Sequence, residues 1–311
     1  AGIAMSQPQK GICAEPNLHA QYLQYNVIDE DEQAIRSKLA RVIEIFDHFD
    51  DEHYEAMVSG VVCIGADYFS ELYPGLRPLE LSPFPDMQCD DRIAPSQTTD
   101  LFIQIRADRL DIVHAISVEV HELLRIHVEL VEDLRGFRYL DGRDLTGFID
   151  ADDNPRGLTK KTMAIIGDND PDFAGGCYVH TQKYMHDMAR WNLLSQRRQE
   201  QIMGCTREHH LPSPEANANS HYIRSRVTDL SDVHAKQQLV RQSMPYANIR
   251  EQGLFFVSHC QSAIPFKHML HSMIFGTNVD EYDAFLDFTS AQTGGAYFAP
   301  SLDFIKQRAQ S

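Results

Sequence analysis

Residues 147–157, GFIDADDNPRG, gather three aspartates within four positions, between an apolar lead-in and an Asn-Pro turn. Asp and Asn favour turns through local backbone hydrogen bonds and Pro155 ends any regular element, so a solvated loop is the plain reading. That reading leaves the apolar Phe148 and Ile149 ahead of Asp150 unexplained. Further along stand His221, with Arg224 three residues on, and Arg241 inside the apolar run LVRQSMPY. Together these types supply a carboxylate that can move a proton, an imidazole that can hold a metal or a proton, and a permanent cation. Each also has a bland reading. A lone histidine at the start of a strand is more often structural than a ligand, and spacing alone does not make His221 one. Arg241, flanked by Leu239, Val240, Met244 and Pro245, must point to the solvent face of its strand, pair with a carboxylate, or face a ligand. Strand alternation gives the first of these as much weight as the other two together.

The elements that must position these residues follow from hydrophobic period. HAQYLQYNV mixes aromatic and β-branched residues with polar ones, as half-buried strands do, and DEDEQAIRSKLARVIEIFDHFD repeats Ile35, Leu39, Val42, Ile43 and Phe46 at helical spacing behind an acidic start. SGVVCIGAD reads as a buried strand, DLFIQIRAD alternates Leu101, Ile103 and Ile105, RLDIVHAISVEVHELLRI is helical, and VELVEDLRGFRYL is a last strand. The order β-α-β, β-α-β is the split βαβ pattern of a ferredoxin-like unit. After residue 147 the same grammar repeats with longer insertions. GGCYVHTQKY, GLFFVSHC and GGAYFAP are strands, QRRQEQIMG and PFKHMLHSMIFG are helices, and SHYIRSRVTDL pairs with QQLVRQSMPY as a hairpin. The predicted fold is therefore α+β, two tandem ferredoxin-like domains with antiparallel sheets, spanning residues 10–146 and 147–311. Asp150 would lie at their junction, where ligand sites often form.

Composition narrows the function. The chain has 311 residues, 43% of them apolar, enough for a substantial core. No run approaches a membrane helix, and AGIAMSQPQ lacks the charged start and apolar middle of a signal peptide, so a cytoplasmic protein with no membrane partner is expected. A formal charge of -17 argues against nucleic acid and anionic lipid. The six cysteines include no C-x-x-C pair, which leaves buried free thiols as the default.

Taken together and in order, RGFRYLDGRDLTGFIDADDNPRG, GGCYVHTQKYMHD, SHYIR, LVRQSMPY, EQGLFFVSHC, MLHSMIFG and TGGAYFAPSLDF resemble the dye-decolourising peroxidase family of haem enzymes, and GICAEPNLHAQYL resembles the start of its bacterial, signal-less branch. The resemblance covers nearly the whole chain. It implies haem b held mainly by the C-terminal domain, His221 as the proximal iron ligand with Arg224 in the H-x-x-R pattern, and Asp150 and Arg241 as the distal pair. It further implies that Asp283 accepts a hydrogen bond from the other ring nitrogen of His221, and that Leu254 and Phe256 wall the distal pocket. Arg241 would draw down the pKa of Asp150 and help keep it ionised. The implied reaction reduces hydrogen peroxide through a ferryl intermediate and oxidises small aromatic or dye-like donors by single electrons; the rival is a haem-handling protein with incidental turnover, and a weaker third reading is a cofactor-free dimer. A homodimer or higher assembly is expected. Two departures stand out. Ala151 replaces the motif glycine, and Asp152 adds a carboxylate that either faces solvent, raises the pKa of Asp150, or accepts the proton itself. The interval from His221 to Arg241 is about two residues longer than is usual in the family, the extra residues falling in the expected hairpin loop, and an alignment without that insertion would put Ile223 at the ligand position, where it cannot bind iron. Trp191, Tyr246 and Tyr297 are either core aromatics or electron relays, with core packing the default for each.

Overall fold

The computed structural model describes residues 6–150, 154–214, 216–277 and 281–310. Strand β1 (His19–Val27) runs into helix α1 (Glu32–Glu52), whose N-cap Asp31 accepts from the Ala34 amide and whose stripe Ile35, Leu39, Val42, Ile43 and Phe46 is buried. β2 (Ser59–Gly65), the short α2 (Phe69–Leu72), a small hairpin of β3 (Met87–Cys89) and β4 (Arg92–Ala94), β5 (Leu101–Ala107), α3 (Leu110–Leu124) and β6 (Val128–Phe137) follow. The hairpin was not visible in the Pro-rich connection, because its strands are three residues each and Asp90 makes the turn at φ 55°. The second half comprises α4 (Gly157–Ala164), β7 (Cys177–His186), α5 (Met188–Trp191), α6 (Gln196–Met203), α7 (His221–Arg224), β8 (Val240–Arg241), β9 (Met244–Ala247), β10 (Gln252–Cys260), α8 (Ile264–Phe275), β11 (Thr289–Ala299) and α9 (Leu302–Arg308).

Each half has the same antiparallel order. The last strand pairs with the first, the first with the third, and the third with the second: β6-β1-β5-β2 in one half, β11-β7-β10 with β8 and β9 in the other. These are two ferredoxin-like units, α+β, joined into one sheet where Tyr297 and Phe298 of β11 meet Gly65 and Ile64 of β2. The sheet folds over so that its two halves face each other. Tyr22 of β1 stacks on Phe255 of β10 at 4.3 Å between ring centroids, although those strands are far apart in the sheet order. Period two then sorts each strand: Ala20, Tyr22, Phe102 and Val257 fill the layer between the two halves, while Leu23, Tyr25, Ile103 and Ile105 lie under the helices outside.

The hairpin expected from SHYIRSRVTDL and QQLVRQSMPY does not form. The Arg224 and Ser225 amides bond back to the Ser220 and His221 carbonyls and wind residues 221–224 into one helical turn. β8 and β9 instead take the edge of the longer β10. Alternation over a polar run was too weak to specify a strand against a partner already present in the sheet. Residues 225–239, between this turn and β8, are irregular.

Candidate active site

Asp150 ends a compact loop that starts at Tyr139. Gly147 adopts φ +93°, a conformation glycine tolerates without strain, and a Cβ there would sit 2.9 Å from the Arg207 guanidinium. Arg143 donates to the Gly147 carbonyl at 2.8 Å and to the Asp141 carboxylate at 2.7 Å, and the Asp150 amide donates to the Gly142 carbonyl at 3.2 Å. The loop is also tied to the sheet. His186 Nε2 donates to the buried Asp144 carboxylate at 3.1 Å, and its Nδ1 meets Thr289 Oγ1 at 2.8 Å. Burial alone would push the Asp144 carboxyl up, but the charge and hydrogen bond of His186, with the bonds from Thr146, hold it below its usual range.

His221 opens the helical turn α7. Its Nδ1 donates at 2.6 Å to Asp283 Oδ2, whose carboxyl is fully buried and also caps the following turn by accepting from the Phe285 amide at 2.9 Å. Asp283 is thus rigid, and it fixes both the ring orientation and the tautomer of His221. Nε2 is left without a partner among the described residues. The Phe285 ring packs edge-on against the imidazole at 5.3 Å.

Arg241 does not point to solvent. It is half-buried, lines the same cavity as Asp150 and His221, and donates Nη2 to the Ser225 carbonyl. With its amide oxygen turned inward, Gln237 accepts from both Nε and Nη2 at 2.7 Å. The Asn154 side chain clamps the Arg241 backbone, its Oδ1 accepting from the amide at 2.9 Å and its Nδ2 donating to the carbonyl at 2.5 Å. The Asn-Pro turn of the acidic loop therefore positions the arginine as well as the aspartate. No ion pair joins Arg241 to a carboxylate among the described residues, and burial lowers its pKa only to about 10, so it remains a cation.

Two contiguous cavities share Asp150, His221, Ser225 and Arg241. The deeper one has a floor of alternate residues from neighbouring strands, Gln182, Tyr184 and His186 of β7 with Leu254 and Phe256 of β10, and a roof of Met269, Met273 and Phe285. The outer one carries polar groups, including His210, Arg226 and Gln237. Arg224 lines neither; it is buried, and its Nε is unpartnered. Arg241 lowers the Asp150 pKa as expected, but the net shift is upward. Burial first and the Asp144 charge second raise it from an ordinary 3.8 to about 6, and Arg241, His221 and His210 offset this only in part.

The family resemblance implied roles for Asp150, His221, Arg241, Leu254, Phe256 and Asp283, and the structure gathers the first five at the cavity, with Asp283 directly behind His221. Asp144, His186, Gln237 and Met273 went unread. The pairing of Asp144 with the last residue of β7 is a contact of the fold, and only the local acidity of residues 141–153 hinted at it. Ala151 and Asp152 lie outside the described residues. Trp191, Tyr246 and Tyr297 are all buried, each with its polar atom bonded, Trp191 Nε1 to the Thr146 carbonyl at 3.0 Å.

The donor set fits haem. An imidazole with a free Nε2, braced by a carboxylate, faces a cavity that is apolar at its deep end and polar at its mouth, as a flat macrocycle with charged carboxyl groups on one edge requires. Such a site on tandem ferredoxin-like units defines a haem peroxidase of α+β architecture. Two family models match end to end: Dyp-type peroxidase, N-terminal, over residues 9–138, and Dyp-type peroxidase, C-terminal, over residues 141–304. The chain belongs to the Dyp-type peroxidase family, and it is a haem-binding peroxidase enzyme. It is 34% identical to the dye-decolorizing peroxidase of Mycolicibacterium paratuberculosis over 96% of this chain and 85% of that one, and 37% identical to that of Mycobacterium tuberculosis over 80% and 75%. Among solved structures, a dyp-type peroxidase protein from Shewanella oneidensis superposes with a TM-score of 0.94 at 42% identity, covering 97% of this chain and 99% of the other. A DypB variant of Rhodococcus jostii RHA1 in complex with heme superposes with a TM-score of 0.90 at 29% identity, covering 97% and 99%. No helix among the described residues is long and apolar enough to cross a membrane.

Proposed function

We propose that His221 holds haem b through Nε2 and that Asp150 and Arg241 carry out the peroxide chemistry on it. The observation behind this is the convergence of all three side chains on one cavity, with the His221–Asp283 hydrogen bond of 2.6 Å turning Nε2 toward it. Haem, when bound, would supply the redox centre that accepts the two oxidising equivalents of hydrogen peroxide. Peroxide must shed a proton from one oxygen and gain one on the other as water leaves. Asp150, ionised above about pH 6, accepts that proton and returns it. Arg241, held by Ser225 and Gln237, presents a fixed positive charge to the anion that develops as the O–O bond breaks. Asp283 keeps the His221 ring in place and makes it a stronger donor. Leu254 and Phe256 keep bulk water from the cavity, and Arg224 is assigned no contact with the haem.

In this reading the chain divides into residues 10–146 and 147–311, with haem held mainly by the second part. The electron donors are small aromatic or dye-like molecules, the working form is a homodimer or higher assembly, and the compartment is the cytoplasm. The decisive experiment is stopped-flow mixing of the haem-loaded protein with one equivalent of hydrogen peroxide. A fast change in the haem spectrum, greatly slowed in Arg241→Leu, is expected; an unchanged spectrum in the native protein would overturn the reading.

A further inference from the structure

A separate cavity of about 230 Å³ reaches Asp150, Asn154 and Arg241 without touching His221. It is smaller than a usual ligand pocket of roughly 300–1,000 Å³ and equals the share of about eight waters at about 30 Å³ each. In a chain of net charge -17 its lining is cationic: Arg106, Arg138, Arg143, Lys160 and Arg241, against the carboxylates of Asp141 and Asp150. Asp141 is paired with Arg143.

Arg106 and Lys160 are the telling pair. Arg106 is 2% exposed, its Nη2 donates to the Gly11 carbonyl at 2.7 Å, and its Nε has no partner. Lys160 is 6% exposed, and its Nζ donates to the Ala14 carbonyl at 3.2 Å, with only the exposed Glu15 carboxylate 3.9 Å away. Among the described residues neither cation pairs with a buried carboxylate. Buried charges are otherwise paired, because desolvation costs several kcal/mol per ion. Their field is felt nearby: burial, then Arg106 and Lys160, push the His259 imidazole down to about 3. The remaining walls include the apolar side chains of Ile149, Met244 and Pro245.

We propose that this cavity binds an aromatic monocarboxylate, its carboxylate between Arg106 and Lys160 and its ring against Ile149, Met244 and Pro245. A molecule seated there abuts Asp150 and Arg241 and blocks one approach to them. Only this competition with peroxide rests on the proposed function; the binding does not.

The test is calorimetric titration of benzoate into the haem-loaded protein saturated with cyanide, which keeps benzoate off the iron. Benzamide and inorganic phosphate serve as parallel probes. One equivalent of benzoate binds, benzamide and phosphate bind at least about tenfold more weakly, and Lys160→Gln and Arg106→Gln each weaken benzoate about 30-fold or more. Lys160→Arg retains binding. Equal affinity for benzamide overturns the assignment of the cations, tighter binding of phosphate overturns the aromatic ligand, and benzoate affinity unchanged in Lys160→Gln overturns the site. Should Arg106→Gln fail to fold, Lys160→Gln against Lys160→Arg decides. In cyanide-free enzyme, saturating benzoate slows the peroxide reaction severalfold. An enzyme that never reacts with peroxide would sink the proposed function and leave the calorimetric result standing.

Discussion

The two halves of the molecule share a strand order and differ in what covers their outer faces. In the first half the 21-residue α1 and the 15-residue α3 lie on the sheet and bury Ile35, Leu39, Val42, Ile116 and Val120 among Leu23, Ile103 and Ile105, with no titratable group in that set. In the second half α8 does the same over part of β7 and β10, with His180 stacked on Phe266 at 4.3 Å. Where a partner to α1 would lie stand only the short α5, α6 and α7 and the irregular chain between them. The gap left by those short elements is the cavity that Asp150, His221 and Arg241 share. One topology thus yields a filled core on one side and a site on the other, and the difference lies in helix length and loop content rather than in the sheet. The site also carries a cost that the filled core does not, namely a buried aspartate whose ionisation the fold disfavours.

Substitutions on the two sides should therefore separate cleanly. His221→Ala has the largest effect: haem content of the purified protein falls to a small fraction of one equivalent by Soret absorbance, while Leu39→Ala leaves it intact in the folded fraction. Next, Asp150→Asn slows the reaction with peroxide by roughly 10²–10⁴-fold in stopped flow. The same change stabilises the haem-free protein. The folded pKa of about 6 lies above the ordinary 3.8, so the stability Asp150 confers is present below pH 3.8 and lost as pH rises through about 6. At pH 7 Asp150→Asn gains on the order of 1–3 kcal/mol in urea unfolding, and a loss of stability there would contradict the assigned burial.

In the same assay Leu39→Ala costs about 2–5 kcal/mol, because α1 cannot close over the space it leaves. Met273→Ala, at the cavity roof, costs less in the haem-free protein; equal costs would mean that the second half is as tightly filled as the first. The smallest effect is that of Asp144→Asn. The peroxide reaction of the native enzyme declines as pH falls through about 6, and removing the like charge moves that midpoint downward by a fraction of a unit. An upward shift would show that the His186–Asp144 pair acts on Asp150 through position rather than charge.

Much of this was legible in the residues. Periodicity located the long elements of both units, since α1 and the β strands each carry a repeat that only one regular structure can bury. It failed over residues 220–230, where polar and apolar residues alternate too loosely to choose between a strand and a single helical turn. The motif positions pointed to Asp150, His221, Arg241 and Asp283, because a carboxylate, an imidazole and a guanidinium in those settings keep their chemistry whatever the fold.

Their mutual arrangement is another matter. The Asp283–His221 bond was implied by the family resemblance alone, while Asn154 clamping Arg241 and His186 anchoring Asp144 are contacts between residues 87 and 42 positions apart that nothing in the sequence announced. The protonation of Asp150 likewise depends on burial and on a neighbouring charge that no local spacing encodes. The chain by itself determined the element types and the ferredoxin-like repeat, which are properties of local pattern, and its resemblance to the family pointed to the candidate site residues. Only the tertiary structure decided which of those side chains share a cavity, which are turned away from it, and how readily each gives up a proton, because distance and desolvation are properties of the folded chain.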